Sequence, residues 1–341
     1  MLNVFITIDT EIEDLCARPP DTEIWVYPAN SDKSVFSTDI QRDIYGVTPN
    51  GEFGLCFQID TLSRYGLRGV FFVDPFFALL SDLDALREIV GLVQEQGHEV
   101  QLHLHTEWLR KKSDPILQGR IGNNINEFSL EEQQILITWA LEILHECNAE
   151  GICAFRAGNF GANFDTLRAL ARNGILYDTS YNIPYLSSPC DMQTDKLLLQ
   201  PERICGVCEF PITSFRDRPG HYRHAQLCAC STWEMENALM QAWRNGWYSF
   251  VIVMHTFELM IRYPRQRNQS VRSLAKPDRF VVKRFERLCR FLAQNTGKFT
   301  TTGFSKLDPG VIPIVATQQS LKSDLFHTTQ RFSEQLARRF L

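Results

Sequence analysis

The chain has 341 residues, of which 44% are hydrophobic and 22% are charged, and its formal net charge is -5 at pH 7. This length and apolar content suffice for one large α/β domain or two smaller ones. The lack of a basic surplus argues against a nucleic-acid-binding protein, and no apolar run reaches the roughly 18 residues that a membrane-spanning helix needs.

Strand-like and helix-like patterns alternate along most of the chain. The predicted strands cover residues 3–9, 69–73, 99–105, 153–156, 175–180, 209–213, 250–255 and 299–302. The predicted helices cover residues 55–65, 82–96, 129–147, 163–173, 232–245 and 277–294. This alternation predicts an α/β fold in which helices cover a parallel sheet. With about seven such units, we expect a distorted (β/α)7-type barrel with long loop insertions.

Several segments interrupt this alternation. Residues 16–54 are rich in Pro, Asn, Asp and Ser and follow the first strand, so we expect an inserted lid or recognition loop. Residues 181–206 and 214–231 are predicted to be irregular. Residues 316–341 have the apolar spacing of an amphipathic helix and are predicted to form a C-terminal tail outside a barrel domain of residues 1–315.

The N-terminus leads directly into the first strand, without the basic segment and small-residue cleavage site of a secretory signal peptide. We therefore expect a cytoplasmic protein in which the ten cysteines are reduced. Cys205 and Cys208, with Cys228 and Cys230, have spacings that can hold structural zinc. Cys208 looks like an ordinary strand residue, however, which favours unligated thiols.

Two histidines lie at the end of a predicted strand. In an extended strand, residues i and i+2 point to the same face, so His103 and His105 project together, with Glu107 just beyond. Imidazole nitrogens that converge beside carboxylates favour a site for a first-row divalent metal. The alternative is a pair of surface histidines on an edge strand.

Residues of catalytic type end several other predicted strands. Asp9, His103, His105, Arg156 and His255 all lie at such carboxyl ends. In (β/α) barrels the carboxyl ends of the strands meet at one face, where the ligand binds. We therefore expect these five side chains to form one site.

Several runs of the chain resemble, in order and spacing, the motifs of one enzyme family. These runs are Thr7–Glu11, Tyr65–Val73, Gly97–His103, Phe155–Gly158, Leu167–Ser180 and Val253–His255. They resemble motifs of the polysaccharide deacetylases (carbohydrate esterase family 4, nodulation-type deacetylase domain), and the resemblance extends over residues 3–305. It implies a metal-dependent hydrolase that removes an acetyl group from a sugar.

The chain departs from the family pattern at the metal ligands. The family has a second Asp directly after the first, where this chain has Thr10, and Glu11 is the nearest substitute. The second histidine of the family lies four residues after the first, where this chain has Glu107. By resemblance, the candidate ligands are Glu11, His103 and His105, with Glu107 as a rival ligand or a supporting neighbour. The implied cofactor is one divalent ion, Zn²⁺ first, with Co²⁺, Ni²⁺ or Mn²⁺ as alternatives.

The resemblance also implies catalytic roles. Asp9 would act as the general base, and Arg156, which lacks the usual following proline, would pair with it. His255 would be the general acid, with Asp178 as a candidate to orient it. The alternatives are a structural ion pair for Arg156 and a core histidine for His255. Three residues are expected at the substrate: Asp178, Trp108 and Asn159.

The implied substrate is an N- or O-acetylated sugar, as a glycan or glycan precursor in surface-polysaccharide biosynthesis. No nucleic acid or membrane span is expected, and the oligomeric state stays open. Two alternatives are a degenerate deacetylase fold that binds glycans without catalysis and a hydrolase of a non-sugar amide, because fold alone does not determine function. Thr10 and Glu107 favour the degenerate fold, whereas Asp9, Arg156 and His255 together favour an enzyme.

Overall fold

The computed structural model describes residues 1–13, 37–80, 82–111, 117, 119–263, 270–312 and 319–323. A nine-stranded sheet forms the centre of this described part. Its strands are β1 (Leu2–Thr10), β2 (Gly69–Val73), β3 (Glu99–Leu104), β4 (Ala154–Ala157), β5 (Tyr177–Asp178), β6 (Glu202–Ile204), β7 (Val207–Glu209), β10 (Ser249–His255) and β13 (Phe299–Thr301). The order is β10-β1-β2-β3-β4-β5-β7-β6, and β13 also pairs with β1. The pairs are parallel except for β6 with β7.

Six α-helices of nine or more residues lie between these strands in the described part of the chain. They are α1 (Leu55–Arg64), α2 (Asp84–Glu95), α3 (Leu130–Glu146), α4 (Phe164–Arg172), α5 (Thr232–Arg244) and α6 (Arg279–Gln294). Smaller strands form a hairpin, β8 (Ser214–Arg218) with β9 (His221–His224), a pair, β11 (Met260–Arg262) with β12 (Ala275–Pro277), and β14 (Leu321–Lys322) beside β8. Each predicted helix up to residue 294 is present within two residues of its expected bounds.

The sheet curls toward closure through the segment that follows β7. The Phe210 amide donates to the Asp178 carbonyl on β5 at 2.7 Å, and the Thr213 amide donates to the Val251 carbonyl on β10 at 3.2 Å. This segment therefore joins the two ends of the parallel sheet. The result is the distorted (β/α)7-type barrel that the sequence predicts.

The alternation of side chains along the strands separates two layers of core. A large apolar cluster includes Ile6 and Ile8 of β1 and packs the sheet against the helices. A second cluster, which includes Phe5, Phe72 and Val253, fills the interior of the barrel. Because alternate residues of a strand point to the same face, a strand-end residue in phase with the apolar interior residues also points into the barrel. The apolar interior thus forms the floor beneath the carboxyl ends of the strands.

Three predictions of local structure were wrong. The residues 181–206, predicted to be irregular, contain strand β6. A strand was expected at residues 209–213, but the observed strand is Val207–Glu209. The residues after it belong to the segment in which the Phe210 amide bonds to β5 and the Thr213 amide bonds to β10. The supposedly irregular residues 214–231 contain the hairpin of β8 and β9.

The two predicted appendages are only partly described. Within the expected inserted loop of residues 16–54, the described part contains a turn of π-helix, Ile40–Ile44, and a hairpin of two-residue strands. Within the expected helical tail of residues 316–341, Leu321–Lys322 form strand β14, because their backbone pairs with β8 instead of bonding locally. The remaining parts of both segments lie outside the described residues, so the lid and the division at residue 315 stay predictions.

A search for membrane spans among the described helices found none with the length and hydropathy to cross a bilayer.

The start of α3 offers a test of the local structure. Ser129 and Glu132 form a capping box, in which the Glu132 amide donates to Ser129 Oγ and the Ser129 amide donates to the Glu132 carboxylate. Ser129→Ala should lower the free energy of unfolding by about 1 kcal/mol, because a helix N-terminal amide loses its acceptor. Urea unfolding measures this change. Glu142→Ala, on the exposed surface of the same helix, should stay within about 0.5 kcal/mol. Equal effects of the two substitutions would refute the capping role.

Candidate active site

The pairing of the strands brings the predicted site residues together. Asp9 pairs with His255 across β1 and β10, and His103 pairs with Arg156 across β3 and β4. Paired residues of neighbouring strands point to the same face of a sheet, so these four side chains lie above the apolar floor of the barrel. Glu11 follows directly after β1 and is 8% exposed.

Glu11, His103 and His105 converge on one point. Glu11 Oε2 lies 2.8 Å from His103 Nε2 and 2.5 Å from His105 Nε2, and the two Nε2 atoms are 3.1 Å apart. All three residues are buried. Among the described residues, this is the group of His, Cys, Asp or Glu side chains whose ligand atoms come close enough to hold a metal ion. The described cysteines form no such group.

The outer nitrogens of the two histidines are already engaged. His103 Nδ1 lies 2.8 Å from the Arg156 carbonyl oxygen, and His105 Nδ1 lies 2.7 Å from Glu107 Oε1. Because both partners are acceptors, each Nδ1 carries the hydrogen and each neutral ring has its lone pair on Nε2. Two lone pairs and a carboxylate oxygen then face one another, and this arrangement requires a cation, either a proton on an imidazole or a metal ion. Two imidazoles and a carboxylate are a ligand set that suits first-row divalent metals.

Electrostatics tie these residues to one another. Burial lowers the pKa of His105, but the carboxylates of Glu107 and Glu11 outweigh burial and bring it well above its usual value. Burial raises the pKa of Glu11, but His105 and His103 bring it well below its usual value. The pKa of Glu107 is also lowered, because His105 outweighs its burial. Glu107 is therefore a charged hydrogen-bond partner at Nδ1 of His105, and its carboxylate is not among the three atoms that converge at Glu11, His103 and His105.

Gly158 provides the space that His105 occupies. A Cβ atom at Gly158 would lie 2.9 Å from the His105 ring and 2.7 Å from the Leu104 carbonyl oxygen. Both distances are too short for a real contact, and the second involves backbone that cannot rotate away. A residue with a side chain at this position would therefore displace β3 or the imidazole.

Arg156 is completely buried, and each of its three guanidinium nitrogens donates a hydrogen bond. Its Nη1 donates to Asp9 Oδ1 at 2.5 Å, its Nη2 donates to Thr7 Oγ1 at 2.8 Å, and its Nε donates to the Thr179 carbonyl at 3.3 Å. Its guanidinium carbon lies 4.4 Å from the centre of the Phe72 ring. These contacts leave the Asp9 carboxylate one orientation, in which Oδ2 faces His255.

His255 faces both carboxylates of β1 from the neighbouring strand. Its Nε2 lies 3.9 Å from Asp9 Oδ2 and 3.8 Å from Glu11 Oε1, and its Nδ1 lies 2.8 Å from Glu258 Oε1. Burial lowers the pKa of His255, but the hydrogen bond to Glu258 and the charges of Glu11, Glu258 and Asp9 raise it to about 9. The imidazole is therefore protonated at neutral pH and can give up a proton at Nε2. The ring of Phe257 stacks on it at 4.9 Å.

The expectation that Asp178 orients His255 was wrong. The Asp178 carboxylate accepts the Ser180 hydroxyl at 2.7 Å and the Ser180 amide at 3.1 Å, and Asp178 is fully buried. Glu258 holds His255 instead. The sequence contained a signal for it, since Glu258 lies three residues after His255, within one turn of 3-10 helix.

The other two residues expected at the substrate differ in exposure. Trp108 is 2% exposed, and its indole donates to Asp74 Oδ2 at 2.7 Å, so it supports the site from behind. Asn159 is exposed and follows Gly158 directly. Asp74, which follows β2 directly, was not among the predicted site residues. It also accepts the His105 amide at 3.4 Å, and burial raises its pKa to about 6.

No protein-family model and no curated protein matches the chain. Among solved structures, a protein from Mycobacterium smegmatis assigned to the polysaccharide deacetylases is 16% identical, with a TM-score of 0.51, over 94% of this chain and 95% of that chain. A family 4 carbohydrate esterase from Streptomyces lividans in complex with acetate is 11% identical, with a TM-score of 0.43, over 93% and 98% of the two chains. A protein from Pseudomonas aeruginosa, likewise assigned to the polysaccharide deacetylases, is 12% identical, with a TM-score of 0.46, over 88% and 87%. The first of these likenesses shows that the chain has the polysaccharide deacetylase fold, which confirms the predicted resemblance at the level of fold.

Gly158→Ala tests the packing against His105. The new methyl group should displace the imidazole and raise the Kd for Zn²⁺ about 10- to 100-fold, as expected when a ligand loses its support. Competition with a chromophoric chelator measures this Kd. Gly91→Ala is the matched control, because a Cβ there meets nothing nearer than Glu95 Oε1 at 3.9 Å. An unchanged Kd in Gly158→Ala would show that the close contact does not hold His105.

The pKa of His255 predicts how stability depends on pH. Folding raises this pKa from about 6.5 to about 9, so folding takes up a proton in this interval and stability falls as the pH rises through it. Urea unfolding of the chelator-treated protein at several pH values measures the fall. In Glu258→Gln the fall should be smaller, because the partner that raises the pKa of His255 is neutral. Curves of equal slope for the two proteins would contradict the role of Glu258.

Proposed function

We propose that this protein is a metal-dependent deacetylase, which hydrolyses an N- or O-linked acetyl group of a sugar in a glycan or glycan precursor. The observation that carries the proposal is the convergence of Glu11, His103 and His105 next to Asp9 and His255. A ligand group, a fixed carboxylate and a protonated imidazole lie side by side in a fold of the polysaccharide deacetylase type. Metal-assisted hydrolysis of an amide or ester uses these three functions together.

The residues of the ligand group would hold one divalent ion through Glu11 Oε2, His103 Nε2 and His105 Nε2. The two imidazoles favour Zn²⁺, with Co²⁺, Ni²⁺ or Mn²⁺ as alternatives. When bound, such an ion polarises the acetyl carbonyl and lowers the pKa of water. Glu107 and the Arg156 carbonyl orient the two rings through their Nδ1 hydrogens.

Asp9 would take the proton from the attacking water. Arg156 binds its Oδ1, which leaves Oδ2 toward His255 and the ligand group. The buried guanidinium holds Oδ1 by a charge-assisted hydrogen bond, so Oδ2 is the oxygen placed to accept the proton. The oxygen of the water bonds to the acetyl carbon as Asp9 receives the proton.

His255 would supply the proton that the leaving group needs. As the bond between the acetyl carbon and the sugar nitrogen or oxygen breaks, Nε2 of His255 donates its proton to that atom. The products are acetate and the free amine or hydroxyl of the sugar. Glu258 at Nδ1 stabilises the protonated imidazole until this step and then accepts a hydrogen bond from its neutral form.

Exposed groups beside the site can contact a sugar. Tyr185 is 37% exposed and stacks on Phe160 at 5.3 Å, and Asn159 next to Phe160 is exposed. Aromatic faces bind the apolar faces of sugar rings, and amides bind hydroxyl groups. An acetylated sugar is therefore the partner we propose. A role in surface-polysaccharide biosynthesis and a cytoplasmic location stay predictions from the sequence.

The experiment compares metal content and acetate release in the wild type, His103→Ala/His105→Ala and His145→Ala. The wild type should bind about one Zn²⁺ per chain and release acetate from acetylated sugars, and the double variant should lose both, because two of three ligands are gone. His145 is exposed at the end of α3, so its variant should behave as the wild type.

The possible contrary results separate the alternatives. A wild type that takes up no Zn²⁺, Co²⁺, Ni²⁺ or Mn²⁺ would exclude the proposed hydrolase and leave a glycan-binding protein. Metal binding with acetate release from non-sugar amides alone would exclude the sugar substrate and support the other hydrolase.

A further inference from the structure

A chain of hydrogen bonds leads from His255 away from the ligand group. His255 Nδ1 lies 2.8 Å from Glu258 Oε1, and Gln226 Nε2 lies 2.5 Å from the same oxygen. Gln226 Oε1 lies 2.8 Å from His224 Nε2, and His224 Nδ1 lies 3.2 Å from Asn182 Nδ2. Four hydrogen bonds thus connect His255, the proposed general acid, to Asn182, which precedes Tyr185 by three positions.

The direction of every bond in this chain follows from Glu258. Its two carboxylate oxygens receive donors from His255, Gln226 and the Cys228 amide, so the group acts only as an acceptor. Gln226 must therefore present its NH₂ group to Glu258 and its carbonyl oxygen to His224. His224 must then donate from Nε2 and accept at Nδ1. A reversal at any one residue would set two donors or two acceptors against each other.

The protonation of His224 agrees with this direction. Burial lowers the pKa of His224, which outweighs the hydrogen bond to Gln226, so the ring is neutral at neutral pH. A neutral ring has one donor and one acceptor nitrogen, as the chain requires. Its face stacks on Tyr185 at 5.6 Å with an angle of 14° between the rings.

The backbone holds Gln226 in register with His255. Gln226 forms a parallel bridge with Val253, the Val253 amide donates to the Ala225 carbonyl at 3.0 Å, and the Leu227 amide donates to the Val253 carbonyl at 3.2 Å. Val253 precedes His255 by two strand positions, so both point to the interior face of the barrel. The segment that carries Gln226 is therefore attached to the strand that carries His255.

We propose that Gln226 and His224 are positioning residues that fix the Glu258 carboxylate, so that His255 presents its Nε2 proton toward Asp9 and Glu11. This proposal rests on the proposed function, in which His255 protonates the leaving group. Without Gln226, the oxygen that accepts from His255 has no second donor and the Cys228 amide holds only the other oxygen, so the carboxylate and His255 gain freedom to rotate. Gln226 prevents this rotation because it binds the same oxygen as His255, and His224 holds Gln226 in the orientation that donates.

The test compares Gln226→Met and His224→Phe with the wild type and with Gln133→Met. Met has the length of Gln without its polar atoms, and Phe keeps an aromatic ring for Tyr185. Gln133 is also fully buried and hydrogen-bonded, but it lies in α3 and bonds to Phe128 and Thr166, so it controls for the loss of a buried amide.

NMR of the zinc-treated protein, with labelled histidine, reports on the chain without any need for activity. We expect the resonance of the His255 Nδ1 hydrogen to move or broaden in Gln226→Met and His224→Phe and to stay unchanged in Gln133→Met. His255→Gln assigns this resonance. Should Gln226→Met fail to fold, His224→Phe decides the question. A resonance that neither variant changes would overturn the proposal.

Kinetics with two acetyl donors separate positioning from general damage. An N-acetyl sugar has a poor leaving group that needs a proton, whereas 4-nitrophenyl acetate has a good one that does not. Gln226→Met should lower kcat for the sugar by about tenfold or more, with KM unchanged, and should leave 4-nitrophenyl acetate within about twofold. Equal losses for the two donors would overturn the positioning role. A wild type that hydrolyses neither would refute the proposed function, while the NMR result would still decide whether the chain positions His255.

Discussion

Arg156 joins the two halves of the site. Its guanidinium holds the Asp9 carboxylate, and its carbonyl oxygen accepts from His103 Nδ1, so one residue orients both the proposed base and one proposed ligand. A buried guanidinium is costly unless it is hydrogen-bonded, and here Asp9, Thr7 and the Thr179 carbonyl each accept from a different nitrogen of it. Removal of Arg156 would leave the buried Asp9 carboxylate with only His255, at 3.9 Å, as a cationic neighbour.

The rest of the site follows from the need to balance buried charge. Glu11 and Glu107 face His105, and Glu258 faces His255, so each of these three acids has an imidazole beside it. For Glu11, His105 and His255, the neighbouring opposite charges outweigh burial and shift each pKa toward the charged form. In the proposed reaction, these charges keep His255 protonated until it donates to the leaving group.

The residues around the site divide into those that act and those that hold. Asp74 and Trp108 lie behind His105, Gly158 makes room for its ring, and Gln226 stands behind Glu258. In the proposed reaction these residues touch neither the water nor the sugar. They fix the orientation of the side chains that contact the water or the sugar. If the imidazole rotated even once, its proton would no longer point toward the leaving group.

The sequence by itself determined the order of helices and strands, the barrel and the placement of Asp9, His103, Arg156 and His255 at strand ends. These depend on periodicity, which is local, and on the rule that parallel strands share a carboxyl edge. Only the tertiary structure decided that Glu11 and His105, not Glu107, complete the converging group, because the direction of a side chain past the end of a strand depends on its neighbours. It also decided that Glu258 and not Asp178 binds His255, and that His224 and Gln226 extend this contact. His224 and Gln226 lie more than 30 residues before Glu258 in the chain, where no period in the sequence relates their side chains to it.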